Sequence, residues 1–246
     1  MLKFSNENSK TKKLRKIAEL QGYLANRRKI YSLDLLSGWS CPGALKCMSK
    51  VVISDGKRRI RDGKCTEFRC FSASQEVLFP ALYNLRKHNF DILKKMRGVR
   101  QCTEMMESSL PPNLGILRYH VGGGFFKQAY FDAAVEVARN HPNRLFYAYI
   151  KNLKVLESHK MEDPSNGVLL PNFRITASRG GKYDELIKPL NMREAVVINY
   201  DYEATMEIDD DDSHAATMGG SFNLLIHGTQ PAGSIASTAV ALQRKR

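Results

Sequence analysis

Residues 115–151, GILRYHVGGGFFKQAYFDAAVEVARNHPNRLFYAYIK, contain the strand–helix–strand pattern that decides the fold. The outer segments, 115–123 and 145–151, are almost wholly apolar, as expected of strands that are covered on both faces. Between them, residues 126–142 repeat apolar side chains at helical spacing and end at Pro142. A strand, a helix and a second strand in this order form a right-handed unit with parallel strands.

The same alternation continues towards the C-terminus. Further apolar strands are predicted at FRITASRG (173–180), AVVINY (195–200) and FNLLIHGT (222–229), with short helices at 154–161 and 181–190 between them. The chain therefore predicts an α/β fold whose sheet is mostly parallel and built of βαβ units. Two arrangements fit this pattern. One is a partial or distorted (β/α) barrel, which we favour, and the other is an open, doubly wound sheet.

The N-terminal part has a different composition. A basic helix or loose arm is followed by a strand at 29–36, a hairpin around the Asp-Gly turn at 55–56, and a helix that Pro80 interrupts. We expect a single α/β domain with metal-binding loops before the repeats. Its parts are residues 1–28 (arm), 29–110 (cysteine-containing part) and 111–246 (βα repeats).

Positive charge is concentrated in the first hundred residues, which hold 23 Lys and Arg against 8 Asp and Glu, a net charge of +15. The remainder carries a net charge of −2, which gives +13 for the whole chain. Such a basic half indicates a polyanionic partner, such as nucleic acid or a phosphorylated ligand, or else a solvated surface. The arm mixes Tyr23, Arg27, Arg28 and Tyr31, as nucleic-acid-binding surfaces do. None of the standard nucleic-acid-binding motifs is present.

No stretch reaches the roughly 18 apolar residues of a membrane helix, and the basic N-terminus lacks the apolar core of a secretory signal. We therefore expect a cytoplasmic protein without a membrane partner. In a reducing compartment, clustered cysteines indicate metal binding or catalysis more often than disulfides.

Four of the five cysteines, Cys41, Cys47, Cys65 and Cys70, lie within thirty residues. Their spacing is too wide for a zinc knuckle and matches no common ferredoxin pattern. Basic neighbours would stabilise thiolates around an anionic cluster. We favour an iron–sulfur cluster over zinc, and unligated thiols remain a third interpretation.

Polar and glycine-rich groups follow the predicted strands, where α/β proteins place their sites. The candidate catalytic residues are His120, Ser178, His214 and His227, none of which has an assigned role. Gly122 and Gly123, at a strand end before a helix, are candidates for contact with an anion or a cofactor. The acidic run 209–212 favours a solvated loop or a weak cation site.

Several segments together resemble the "gene product 88"-like family of bacteriophage proteins, over about residues 28–238. They are SLDLLSGWSCPGALKCMSK (32–50), FRCFSASQEV (68–77), ILRYHVGGGFF (116–126), FRITASRGGKYDELI (173–187) and LLIHGTQPAGS (224–234). The resemblance implies a phage protein that acts in the cytoplasm of a bacterial host, with cysteines suited to an iron–sulfur cluster, [4Fe–4S] in type.

The residues that match the family are Cys41, Cys47, Cys70, His120 and the pair Gly122–Gly123. Cys65 departs from the family pattern, and Gly124 stands where an acidic residue is expected. With four thiolates, a cluster serves structure or electron transfer. With three, one iron is open to a small-molecule substrate as a Lewis acid, and ester hydrolysis is the activity to test first. The alternative function is a zinc-stabilised nucleic-acid-binding module.

Overall fold

The computed structural model describes residues 1–245 as an eight-stranded mixed sheet with helices, and a separate two-stranded hairpin. The strands are Ser5–Asn6 (β1), Lys29–Leu33 (β2), Ser49–Ser54 (β3), Lys57–Asp62 (β4), Leu114–Tyr119 (β5), Leu145–Ile150 (β6), Val168–Leu170 (β7), Phe173–Ser178 (β8), Glu194–Ile198 (β9) and Phe222–Leu225 (β10). The α-helices are Gln21–Leu24 (α1), Phe71–Leu78 (α2), Pro80–Lys95 (α3), Gly98–Ser109 (α4), Gln128–Asn140 (α5), Ser213–Ala216 (α6) and Ile235–Gln243 (α7). Short 3₁₀ helices lie at Thr11–Lys16, Ala18–Leu20, Leu153–Leu156, Pro164–Asn166, Asp184–Leu186 and Asp201–Glu203.

Six strands of the large sheet are parallel and follow one another in the order β2-β5-β6-β8-β9-β10. The order of a doubly wound sheet reverses at a switch point, and this order does not reverse. It is the strand order of a partial (β/α) barrel, although the sheet stays open. The predicted α/β class with a mostly parallel sheet is thus confirmed. The antiparallel strands β1 and β7 pair with β2 and β8.

Apolar side chains cover the sheet on both faces. Along β6, Phe146 and Ala148 belong to the cluster that includes α5, whereas Leu145 and Tyr147 belong to the opposite cluster. This second cluster is completed by the N-terminal segment, whose Leu14 is fully buried. The N-terminal segment is therefore not a loose arm but a cover for one face of the sheet.

Two local predictions in the cysteine-containing part are also confirmed. The helical stretch after Cys70 breaks at Pro80, which begins α3. At the start of a helix the backbone N–H has no partner within the helix, so proline, which has no N–H, costs no hydrogen bond there. The Asp-Gly turn at 55–56 joins β3 and β4, and Asp55 and Gly56 both have positive φ, as a two-residue hairpin turn requires. Within residues 1–245, no helix combines the length and apolarity needed to cross a membrane.

Candidate functional site

A cavity of about 520 Å³ lies at the carboxyl ends of the parallel strands. That volume is in the range of small-molecule sites. Its walls come from segments that are distant in sequence, because parallel strands deliver their following loops to one edge of the sheet. The residues that matter here are Cys41, Cys47, Cys70, Arg118, His120, Gly123, Gly124, Tyr149, Lys151, Asn152, Ser178, Asp212, His227 and Thr229.

Three of the four clustered cysteines line this cavity as free thiols. Burial, together with the neighbouring Cys70 and Cys47 thiols, raises the pKa of Cys41 to about 12. Burial and Cys47 likewise raise the pKa of Cys70 to about 11. Burial thus keeps Cys41 and Cys70 protonated at neutral pH until a cation favours their thiolates.

Cys65 lies apart from these three. It is exposed, on the loop between β4 and α2, and is not part of the cavity wall. In the described part of the chain, no group of three or more His, Cys, Asp or Glu side chains is placed to hold a metal ion. The three cavity cysteines therefore share a space without forming a closed site for a single ion.

A buried ion pair fixes the two segments that carry the cysteines. Glu76 on α2 and Arg86 on α3 are almost inaccessible, and Arg86 Nη1 donates to Glu76 Oε1 at 3.1 Å. The same oxygen accepts from the Ser37 backbone N–H (2.9 Å) and hydroxyl (2.8 Å). The loop before Cys41 is thereby tied to the helix that follows Cys70.

The glycines after β5 allow this loop to pack closely. A Cβ on Gly122 would lie 2.2 Å from Ser72 Oγ, and one on Gly123 would lie 2.5 Å from Ser40 Oγ. Gly123 also has φ of +91°, which favours glycine. Gly123 lines the cavity, but Gly122 does not. Of the two glycines predicted to touch a ligand, the structure gives Gly122 a packing role.

Two of the predicted histidines line the cavity and are neutral at pH 7. Burial, with Arg118 nearby, lowers the pKa of His120 to about 3, and its Nε2 lies 2.9 Å from Tyr130 Oη. Burial, followed by Lys10 and Arg118, lowers the pKa of His227 to about 4. The His227 ring packs on Phe71 with 4.4 Å between centroids. A neutral imidazole can accept a hydrogen bond or bind a metal.

These low pKa values predict acid sensitivity. The unfolded chain binds a proton at each histidine near pH 6.5 and the folded chain does not, so stability is present above that pH and is lost below it. Urea unfolding between about pH 7 and 4.5 measures the slope. In a His120→Asn variant we expect the slope to be smaller by up to about 1.4 kcal/mol per pH unit. The partly exposed His88, replaced in the same way, is the control. Equal slopes in the His120 variant and the wild type would contradict the prediction.

A comparison with protein-family models decides the affiliation of the chain. The model described as Gene product 88 matches residues 1–245. The chain belongs to the Gene product 88 family. This is the family that the sequence segments resemble, so that prediction is confirmed. Neither the curated proteins nor the solved structures provide a match.

The remaining catalytic candidates of this Gene product 88 protein do not form one site. Ser178 lines the cavity, and its carbonyl accepts a hydrogen bond from Lys151 Nζ at 2.8 Å. His214 lies outside the cavity wall, with its Nε2 3.2 Å from Glu207 Oε2. The structure therefore brings His120, Ser178 and His227 to one cavity and leaves His214 elsewhere.

A buried polar cluster in the cavity wall was missed by sequence reasoning. Arg118 on β5 forms an ion pair with Asp212, and both are nearly inaccessible. The hydroxyls of Tyr147 and Tyr149 donate to the same carboxylate at 3.1 and 3.3 Å. The available signal was Arg118 itself, because a charged residue within an apolar, two-faced strand requires a buried partner.

Proposed function

We propose that this Gene product 88 protein binds an iron–sulfur cluster of the [4Fe–4S] type through Cys41, Cys47 and Cys70. The observation that carries the proposal is the convergence of these thiols on one cavity at the carboxyl ends of the strands. Thiolate sulfur is the ligand that such clusters prefer. The raised pKa values of Cys41 and Cys70 fit a site that a bound cationic centre would complete.

The arrangement favours a cluster over zinc. A structural zinc ion needs four ligands in a tight tetrahedron. Cys65, the only clustered cysteine left to complete such a set, is exposed and away from the cavity wall. A four-iron cluster is a larger body than one ion, so its thiolates stand further apart around it. A cluster with three protein ligands would need three thiols on one cavity, and Cys41, Cys47 and Cys70 line one.

Three protein thiolates suggest a role in catalysis rather than in structure alone. An iron without a protein ligand supplies Lewis-acid chemistry, which polarises a carbonyl or activates water. The chain itself offers a cavity of about 520 Å³ in which His120 and His227 are uncharged. These features support a small-molecule substrate, and ester hydrolysis is the activity to test first. A redox or purely structural role is the alternative, and it would require a fourth ligand.

We propose that the protein acts in the cytoplasm of a bacterial host during phage infection. The cytoplasm of a bacterial host during phage infection is reducing, so it would keep the three thiols available as ligands. The free state of all the cysteines is compatible with that environment.

Cysteine-to-serine variants test the proposal. The protein is purified without oxygen, reconstituted with iron and sulfide, and analysed for both elements and for visible absorption. We expect roughly four irons and four sulfides per chain in the wild type. We expect Cys41→Ser, Cys47→Ser and Cys70→Ser each to lose most of this content, and Cys65→Ser to retain it. Cys65→Ser is the matched control because it removes a thiol from the same segment without touching the cavity wall.

The opposite results have clear meanings. A colourless protein with stoichiometric zinc and no sulfide would overturn the cluster in favour of the zinc alternative. Loss of the cluster in Cys65→Ser would make that thiol the fourth ligand and remove the open iron. Hydrolysis of a chromogenic acetate ester is then compared between the loaded wild type and Cys41→Ser. Equal rates would separate any esterase activity from the cluster.

A further inference from the structure

The hairpin of β3 and β4 is a two-stranded ribbon with two different faces. The register pairs Lys50 with Arg61, Val52 with Arg59 and Ser54 with Lys57. Because side chains alternate along a strand, these six residues share one face, the outer face of the hairpin. That face holds four cations and no carboxylate. Lys57, Arg59 and Arg61 are exposed.

The opposite face packs against the protein around Val51, whereas Ile53 near the turn is exposed. Val51 is fully buried, and both strands contact α2. Arg58 lies over the Tyr83 ring with 5.7 Å to its centroid. Asp62, on this inner face, binds Arg69 through an ion pair of 2.7 Å and accepts from Ser49 Oγ at 2.7 Å. The Asp62 carboxylate is thus turned away from the outer cations, whereas the Asp55 carboxylate at the turn accepts from Ser54 Oγ at 3.2 Å.

The outer cations are available to a partner. Within residues 1–245, Lys57, Arg59 and Arg61 have no hydrogen bond, ion pair or aromatic contact through their side chains. Lys50 Nζ lies 4.2 Å from the centroid of Trp39, whose ring is about half exposed. The face therefore combines unneutralised charge with an aromatic side chain at its edge.

We propose that this outer face binds double-stranded DNA, with the ribbon in the major groove and Lys57, Arg59 and Arg61 against the phosphates. The major groove, about 12 Å wide, admits a two-stranded antiparallel ribbon. Six residues per strand span roughly 20 Å, enough to reach several phosphates. A membrane surface fits less well, because Val52 is the only apolar residue on this face.

The ribbon lies beside the cysteine cavity but does not depend on it. Its first residue, Ser49, accepts a hydrogen bond from the Cys70 backbone N–H at 3.3 Å through Oγ. The contact with DNA requires only the charged face, so the inference stands whether or not the proposed cluster is bound.

Fluorescence anisotropy of a labelled duplex of about 20 base pairs, titrated with the full-length protein over roughly 50–300 mM NaCl, tests the inference. The variant is Arg59→Ala with Arg61→Ala. We expect its binding at about 100 mM salt to be weaker by tenfold or more, and the slope of log K against log salt to be smaller by about two. The matched control is Lys95→Ala with Arg97→Ala, two exposed cations outside the hairpin, which removes the same charge.

Three results would overturn the inference. The wild type shows no binding at low salt, or the control pair weakens binding as much as the ribbon pair does, or single-stranded DNA or duplex RNA competes better than duplex DNA. Circular dichroism and thermal unfolding of both variants verify the fold, which exposed side chains without partners are not expected to affect.

Discussion

Replacing Arg86 by leucine is expected to lower the free energy of unfolding by about 3–5 kcal/mol. The guanidinium is buried against Glu76, which accepts from it and from Ser37. Burial already raises the pKa of Glu76, and Arg86 is the charge that opposes this shift. Without Arg86 the carboxyl is either charged and unpaired or protonated and unable to accept all of its hydrogen bonds.

Urea denaturation of the wild type and three variants measures this effect. The double variant Arg86→Leu with Glu76→Leu removes both charges, so it should recover part of the loss. Lys87→Leu, next in sequence but exposed, should change stability by no more than about 0.5 kcal/mol. If Arg86→Leu and Lys87→Leu destabilise equally, the buried pair does not hold the cysteine loop. Because the pair links the segments of Cys41 and Cys70, iron loading of Arg86→Leu should also fall.

The strands that could be predicted from the sequence are those with an extended pattern of apolar residues. The segments at 115–123 and 145–151 contain runs of apolar residues, and the segment at 173–180 alternates apolar with polar residues. All three are present as β5, β6 and β8. The two- and three-residue strands β1 and β7 carry too little pattern to be read. Whether the sheet closes depends on the pairing of its first and last strands, which no local pattern encodes.

The site was predictable in part for the same reason. Cysteine clustering identified Cys41, Cys47 and Cys70, and the strand ends identified His120 and His227. The exposure of Cys65 depends on how its loop packs, which spacing does not determine. The acidic run was interpreted as a solvated loop or a weak cation site, and the solvated loop is wrong for two of its four residues. Asp209 and Asp212 are buried. The partner of Asp212 is 94 residues away, so its burial could not be read from the run.

Asp212→Asn is the second substitution for which we expect a loss of about 3–5 kcal/mol. Burial lowers the pKa of Arg118, but Asp212, with smaller contributions from Tyr147, Tyr149 and Asp34, raises it above its ordinary value. An amide of the same shape keeps the packing but leaves the Arg118 charge buried without its counter-ion. Asparagine also tolerates the left-handed backbone of this position, where φ is +64°, so the change tests charge rather than strain.

Asp210, in the same acidic run 209–212, provides the control for Asp212→Asn. Asp210 is largely exposed and forms an ion pair with Lys13, itself half exposed, so Asp210→Asn should change stability by no more than about 0.5 kcal/mol. In thermal unfolding we expect the Asp212 variant to melt roughly 6–20 °C lower than the wild type. A second variant, Asp212→Asn with Arg118→Met, also removes the unpaired Arg118 charge and should recover part of the lost stability. Similar melting of the Asp210 and Asp212 variants would mean that the Arg118–Asp212 pair is not buried as described. A double variant no more stable than Asp212→Asn would show that the loss comes from the hydrogen bonds of Tyr147 and Tyr149 instead of the unpaired charge.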